Sequence, residues 1–254
     1  MRVLLVEDDL TTSRGVTLML KTQGMIVDAA DTGEEALELA RLYDYDIVVL
    51  DIMLPDMEGY EVVRRLRAGR STTPVLILSG LSRPGAKVKG FGLGADDFLV
   101  KPFDSQELIA RIQAIIRRTK GFAQPSITVG RLNLDLGARE ATVGGRPVHL
   151  TGKEYAILEL LTLRKGMVMT KEAFLNHLYG GMDEPEVKII DVFICKLRKK
   201  LAQAGCEDLI GTVWGRGYVL RDPTPSITRQ AFGGSNALGT PVQNASGEAT
   251  YAAA

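Results

Sequence analysis

Five short apolar runs, at residues 3–6, 26–29, 47–50, 75–78 and 98–100, recur through the first hundred positions. Each is rich in β-branched residues and too short for a helix, so each reads as a buried strand. The stretches between them carry apolar residues at helical spacing, as in Glu34-Glu35-Ala36-Leu37-Glu38-Leu39-Ala40, where Thr32 with Glu35 three positions on marks a helix start. Strands joined by helical crossovers pair in parallel, because the helix returns the chain to the same end of the sheet. Five such units predict an α/β fold over 1–120, a doubly wound five-stranded parallel sheet with helices on both faces.

The pattern then changes. Residues 121–126, with Gly121 and Pro125, read as a linker. Residues 127–149 carry short strands around the turn Val143-Gly144-Gly145-Arg146-Pro147, which predicts an antiparallel sheet. Three helices follow, one from the capping box Thr151-Gly152-Lys153-Glu154 to Lys165, one from Thr170 to Tyr179 and one from about 186 to 203. The closing Thr212-Val213-Trp214-Gly215-Arg216-Gly217-Tyr218 places two β-rich arms around a glycine-flanked arginine and reads as a hairpin. The second domain, 127–222, is thus expected to be α+β. From 223 to 254 the composition falls to Pro, Gly, Ser, Thr and Ala, the signature of a disordered tail. Its end, Ala252-Ala253-Ala254, is one a protease-unfoldase can grip, and an inert tail is the equal alternative.

No run approaches the roughly 20 apolar residues of a spanning helix, and Glu7-Asp8-Asp9 arrives too early for a secretion signal. Cys195 and Cys206 form neither a disulfide framework nor a CxxC pair, and His149 and His177 are the only histidines. These features predict a cytoplasmic chain with no membrane partner. The formal net charge is zero, with 16 basic against 18 acidic residues in 1–122 and 14 against 12 in 123–222, a difference too small to choose a partner. Position says more, since Lys196, Arg198, Lys199 and Lys200 fall within five residues.

In an open parallel sheet, ligands bind beyond the carboxyl ends of strands where the winding reverses. Glu7 and Asp8 follow the first strand and Asp51 the third; if those strands are neighbours, three carboxylates converge with no base among them. Such a cluster calls for a hard cation, and its all-oxygen donor set favours Mg²⁺. Lys101 ends the fifth strand and Ser79 the fourth, adding a cation and a hydroxyl, so the set reads as a receptor for a phosphoryl group on one aspartate. Ordinary loop acids would explain one of these positions more easily than all five.

The motifs Val6-Glu7-Asp8-Asp9, Val48-Val49-Leu50-Asp51-Ile52-Met53-Leu54-Pro55 with Gly59, Leu78-Ser79-Gly80 and Gly94-Ala95-Asp96-Asp97-Phe98-Leu99-Val100-Lys101-Pro102-Phe103 resemble the flavodoxin-like receiver domain of bacterial response regulators. The resemblance implies that Asp51 accepts phosphoryl from a sensor histidine kinase or histidine phosphotransfer protein. It also implies that Glu7, Asp8, Asp51 and the Met53 carbonyl surround Mg²⁺, that Ser79 and Lys101 hold the phosphoryl oxygens, and that Phe98 is the switch aromatic. Ser79 and Phe98 stand where the family more often has Thr and Tyr, which is expected to alter the coupling of the switch and not its existence.

Duplex DNA admits one helix into its major groove. Between 186 and 203, Ile190, Ile194, Leu197 and Leu201 are spaced as a buried stripe. Lys188, Val192, Lys196 and Lys199 recur on another face, bordered by Phe193 and Arg198. A groove-reading helix and a solvated charged helix both look like this. The surrounding residues resemble the winged-helix output domain of the OmpR/PhoB class, and those of 150–155, 174–185 and 189–200 look like alphaproteobacterial cell-cycle transcriptional regulators. That likeness covers about 1–222 and implies double-stranded DNA and RNA polymerase as partners, with Lys188, Val192, Phe193, Lys196 and Arg198 facing DNA. Arg216, at the hairpin tip, is placed to enter the minor groove or touch phosphate, while Trp214 is either a wing contact or a ring packed on the hairpin. In this class phosphorylation favours a homodimer through the fourth helix, fifth strand and fifth helix. Lys87, Asp96, Asp97, Glu107, Arg111 and Arg118 lie there, and Lys87–Glu107, Asp96–Arg111 and Asp97–Arg118 are the expected cross-subunit pairs, against a reading as solvated charge. An aspartate-nucleophile phosphatase would need a second acid two residues after the nucleophile; Met53 stands there, so no enzyme is expected. Together the resemblances imply a phosphorylation-controlled, sequence-specific DNA-binding regulator of a two-component or phosphorelay system acting in the cell cycle.

Overall fold

The apolar runs form strands in a computed structural model that describes residues 1–80, 84–180 and 185–222. The chain runs β1 (Arg2–Val6), α1 (Leu10–Thr22), β2 (Ile26–Ala30), α2 (Gly33–Leu42), β3 (Ile47–Asp51), α3 (Gly59–Ala68), β4 (Val75–Ser79), α4 (Pro84–Gly92), β5 (Asp97–Val100) and α5 (Ser105–Thr119). The strand order is β2-β1-β3-β4-β5, all pairs parallel. The winding reverses between β1 and β3, which opens a crevice at their carboxyl ends. Every residue of β1, β3 and β4 is buried, because helices cover both faces, and alternate side chains feed two apolar clusters. Val3, Leu5, Val49 and Leu76 enter one, and Leu4, Val6, Val48 and Ile77 the other.

Local caps explain where helices begin. Asp9, Thr32 and Asp104 accept backbone N–H groups in the first turns of α1, α2 and α5. The predicted box at α2 is offset by one residue, since Glu35 returns its carboxylate to the N–H of Asp31 at 3.1 Å and not to Thr32.

The second half contains β6 (Ser126–Val129), β7 (Leu132–Asp135), β8 (Glu140–Val143) and β9 (Arg146–Pro147), an antiparallel sheet in sequential order. The last residue assigned to the linker, Ser126, already lies in β6. Next come α6 (Gly152–Leu163), α7 (Lys171–Tyr179), α8 (Ile189–Gln203) and the hairpin β10 (Ile210–Val213) and β11 (Gly217–Leu220). Residues 154–163 of α6 are all buried, which makes it the central helix of this half, and its capping box is complete. α8 starts three residues later than the predicted 186, with Lys188 at its cap position and no side-chain cap. Gly217 sits at φ 135°, and a Cβ there would stand 2.0 Å from the Met169 carbonyl. No other residue allows Met169 and Tyr218 to exchange their backbone hydrogen bonds (2.8 and 3.0 Å), which pin the hairpin to the α6–α7 connection. The tail expected over 223–254 lies outside the described residues.

The apolar cluster containing Val3 and Leu5 continues through Leu108 and Ile112 of α5 and Ile127 of β6 to Ile157 and Phe174 of α6 and α7. Near the amino ends of β1 and β3, the Met1 ammonium pairs with Glu159 and Asp46 lies beside Arg164 and His177 of the second half, while Arg2 pairs with Asp28 and reaches the Gly180 carbonyl. His177 is buried beside Asp46. Burial, with the Met1 ammonium beside it, pushes its pKa down to about 3, so the ring is neutral at neutral pH.

Candidate functional site

β1 delivers Glu7, which is buried, and Asp8, which is exposed; β3 ends on buried Asp51. The connection after Asp51 folds tightly back, with the Gly59 N–H donating to the Ile52 carbonyl at 2.8 Å. A Cβ at Gly59 would stand 2.2 Å from the Asp51 carbonyl oxygen, so glycine alone lets α3 start against the acid. The Met53 N–H donates to Asp51 Oδ1 at 3.1 Å, fixing one carboxylate oxygen. The Met53 side chain stands 67% exposed. From β5, Lys101 Nζ donates to Glu7 Oε2 and to Asp51 Oδ2, both at 2.6 Å. Ser79 is fully buried at the end of β4, and its carbonyl accepts the Lys101 N–H at 2.8 Å. Phe98 is buried one strand over, with Lys87 Nζ 5.7 Å from its ring centre.

The carboxylate oxygens of Glu7, Asp8 and Asp51 lie within 4.8 Å of one another. One ammonium among three carboxylates leaves the cluster short of positive charge, and all-oxygen donors of this kind suit a hard divalent cation. The surroundings of Glu7 reflect the same shortage. Burial raises its pKa, with Asp51 and Asp8 adding to the rise and Lys101 opposing it. Burial pulls Lys101 the other way, but its bonds to Asp51 and Glu7 outweigh that and hold it above the ordinary lysine range. A carboxyl with a raised folded-state pKa stabilises the fold below its unfolded pKa and loses that contribution as pH rises through the folded value. A divalent cation on the same oxygens offsets the loss. Added Mg²⁺ should therefore raise the thermal midpoint more at pH 7.5 than at pH 5, as read by calorimetry, and Glu7→Gln should flatten the difference.

In the second half, Ile190, Ile194, Leu197 and Leu201 form the buried stripe of α8. Lys188, Val192, Lys196 and Lys199 are exposed and Phe193 is half-buried. The basic run is not uniform. Lys200 donates to Glu154 Oε2 at 2.6 Å and to the His149 carbonyl at 2.9 Å. Arg198, expected on the DNA-facing side, is engaged with the closing hairpin. Its Nε and Nη2 donate to the Ile210 carbonyl at 3.1 and 2.8 Å, Nη2 also reaches Thr212 Oγ1 at 2.8 Å, and the guanidinium lies over the Tyr218 ring. It braces the hairpin. Asp191, which sequence reasoning passed over, accepts from Lys171 at 2.8 Å and from the Tyr218 hydroxyl, and these bonds hold its carboxyl below the usual range. Arg216 is exposed at the tip, and Trp214 is 91% exposed, which decides against a ring packed in the hairpin.

Four of the charges expected to pair across subunits, Asp96, Asp97, Glu107 and Arg111, form ion pairs within the chain. Arg111 pairs with Asp97 and Glu107, both at 2.7 Å. Asp96 accepts from Arg67 at 3.2 Å and from the Val75 N–H at 2.8 Å, so its carboxylate anchors the start of β4. Arg118 is exposed. Among the described residues, no helix is long and apolar enough to cross a membrane.

The family of response regulator receiver domains matches residues 3–113, and the family of transcriptional regulatory protein C-terminal domains matches 145–220. The cell cycle response regulator CtrA of Brucella anthropi is 60% identical over 232 residues, 91% of this chain and all of the relative, and that of Brucella ovis matches to the same extent. Among solved structures, the response regulator DrrB of Thermotoga maritima, an OmpR/PhoB homologue, is 32% identical over 87% of this chain and 98% of its own, with a TM-score of 0.43. With its acid pocket at the sheet switch point and a helix–hairpin domain behind it, this chain belongs to the OmpR/PhoB-type response regulators, in the family of the cell cycle response regulator CtrA.

Proposed function

We propose that residues 1–120 form the receiver, 121–126 the linker and 127–222 the DNA-binding domain of a cytoplasmic cell-cycle transcription regulator, and that Asp51 is its phosphoacceptor. The observation that carries the reading is Lys101 bridging Glu7 and Asp51 at 2.6 Å where β1 and β3 end. A phosphoryl group adds close to two negative charges at neutral pH, and this is where a fixed cation can offset them. The donor is a phosphohistidine of a sensor kinase or phosphotransfer protein. The P–N bond to imidazole breaks, a P–O bond to an Asp51 carboxylate oxygen forms, and the imidazole takes up a proton. Glu7, Asp8, Asp51 and the Met53 carbonyl would hold Mg²⁺, which supplies charge neutralisation of the transferring group. Lys101 and Ser79 orient the phosphoryl oxygens, and Phe98, with Lys87 over its ring, senses the change.

Phosphorylation then favours a homodimer through Lys87, Asp96, Asp97, Glu107, Arg111 and Arg118. Since Asp97, Glu107 and Arg111 already pair within one chain, a dimer gains only by exchanging or sharing those bonds. Two linked DNA-binding domains raise affinity through effective concentration. Lys188, Val192, Phe193, Lys196, Lys199 and Arg216 face the duplex, RNA polymerase is engaged at promoters, and the tail is the grip for a protease-unfoldase. The test is genome-wide mapping of bound sites in cells carrying the wild type or Asp51→Ala. Discrete promoter peaks that weaken in the variant support the reading; peaks indifferent to Asp51, or none, overturn it.

A further inference from the structure

A crevice of about 720 Å³ lies where the α1–β2 turn meets α6, α7 and α8. Its lining is largely apolar, with buried Met25 and Val27 from the first half and buried Ala156 and Leu178 from the second. Tyr179, the last residue of α7, and Phe193, on α8, add aromatic rings. Three cations join this lining: Lys21 in the last turn of α1, Arg139 in the β7–β8 turn and Lys153 in the first turn of α6. The volume is that of a site for a small organic molecule, and such sites favour seams between domains and apolar walls with a few placed polar groups.

Two of these cations are seated on rings and not on acids. The Arg139 guanidinium lies 4.5 Å from the centre of the Tyr155 ring, and Lys153 Nζ lies 3.3 Å from that of Tyr179. Among the described residues, none of the three cations pairs with a carboxylate. The one carboxylate in the lining, Asp28, is taken by Arg2 at 2.7 Å. A ring face fixes a cation without neutralising it, and a guanidinium stacked in this way keeps its edge N–H groups free to donate. Arg139 is also set in place by its backbone, at φ 57°, and by Gly24, where a Cβ would stand 2.7 Å from Arg139 Nη2. The crevice therefore combines positive charge that has no countercharge with apolar and aromatic surface. The charge selects an anion. The apolar lining selects one with a hydrocarbon body, since a bare inorganic anion would leave that surface wet.

We propose that this crevice is a binding site for an amphipathic organic anion, a flat aromatic body that carries an acidic group. The acidic group sits among Lys21, Arg139 and Lys153, and the body lies against Met25, Leu178 and Phe193. The site is distinct from the acid pocket, because it lies at the amino end of β2 whereas Glu7 and Asp51 lie at the carboxyl ends of β1 and β3. Phe193 is shared between the crevice and the face proposed for DNA, so the bound anion competes with the duplex. That consequence rests on the proposed function; the site does not.

Anilinonaphthalene sulfonate has this chemistry and brightens on leaving water, and N-phenylnaphthylamine is the same body without the sulfonate. Titrated into the full chain, the sulfonate should saturate one site, and the neutral analogue should bind at least about 10-fold more weakly, the scale of a charge-assisted hydrogen bond. Lys21→Glu and Lys153→Glu, from opposite halves of the molecule, should each weaken the sulfonate by roughly 10-fold and leave the neutral analogue unchanged. Both lysines are exposed, so the fold is kept. Equal binding of the two dyes, many weak sites, or a sulfonate affinity indifferent to both substitutions would overturn the inference, as would no binding at all. Gel-shift titration with the dye present reads the consequence. The sulfonate should weaken duplex binding by the wild type and far less by Lys21→Glu, and an unchanged duplex affinity at saturating dye overturns the competition. Should no form bind DNA while the dye keeps its dependence on Lys21 and Lys153, the site stands and the DNA reading fails.

Discussion

Asp51→Asn abolishes phosphoryl uptake from acetyl phosphate, and Lys101→Ala slows it by at least about 100-fold, the order expected when one preorganised cation or donor is removed from a developing charge. Intact-protein mass spectrometry over time distinguishes the two, with no adduct in the first variant and a slow one in the second. Their effects on stability should diverge as well. Lys101 is bonded to both Glu7 and Asp51, whose side chains are 2% and 10% exposed. Removing it leaves two buried carboxylates facing each other, which lowers the thermal midpoint until Mg²⁺ is added. Asp51→Asn removes one of the competing carboxylates and leaves Lys101 paired with Glu7, so the fold tolerates it. An adduct on Asp51→Asn at the wild-type rate would place the acceptor elsewhere. A Lys101→Ala protein phosphorylated normally would show that the ammonium is structural only.

The acid pocket was legible in the sequence because it is built at strand ends. Once the five apolar runs are read as parallel strands, Glu7, Asp51, Ser79 and Lys101 follow them at fixed offsets, and strand order alone brings them together. The same logic did not reach Arg198 or Lys200. A basic run on a helix carries no information about which of its members a neighbouring hairpin or capping carboxylate will capture, and here the Ile210 carbonyl and Glu154 take two of them. Trp214 was ambiguous for a related reason, since apolar character predicts burial unless a residue sits at a two-stranded tip with nothing to cover it. The joint at Arg2, Asp46 and His177 had no local signature at all. Arg2 and Asp46 lie 44 positions apart and His177 more than a hundred further on, and only packing of the two halves brings them together. One hint existed, in that an arginine at the head of a buried strand needs a partner somewhere.

The contrast within α8 supplies the second large effect. Lys196 and Lys199 are the exposed members of the run, while Arg198 and Lys200 are bound internally. Reversing the charge of the exposed pair, Lys196→Glu with Lys199→Glu, should weaken duplex binding by roughly 100-fold at moderate salt and lower the slope of log affinity against log salt by about two, one for each phosphate no longer neutralised. Folding should be untouched, because neither side chain belongs to the buried stripe. Arg198→Ala should behave differently. It frees the Ile210 carbonyl and the Thr212 hydroxyl, loosens the hairpin that carries Trp214 and Arg216, and lowers both the thermal midpoint and the affinity while leaving the pairing of α8 with phosphates, and hence most of the salt slope, in place. Equal slopes for the Lys196/Lys199 variant and the wild type would move the phosphate-binding surface off this face of α8, and an Arg198→Ala protein of normal stability with a reduced slope would return Arg198 to the DNA.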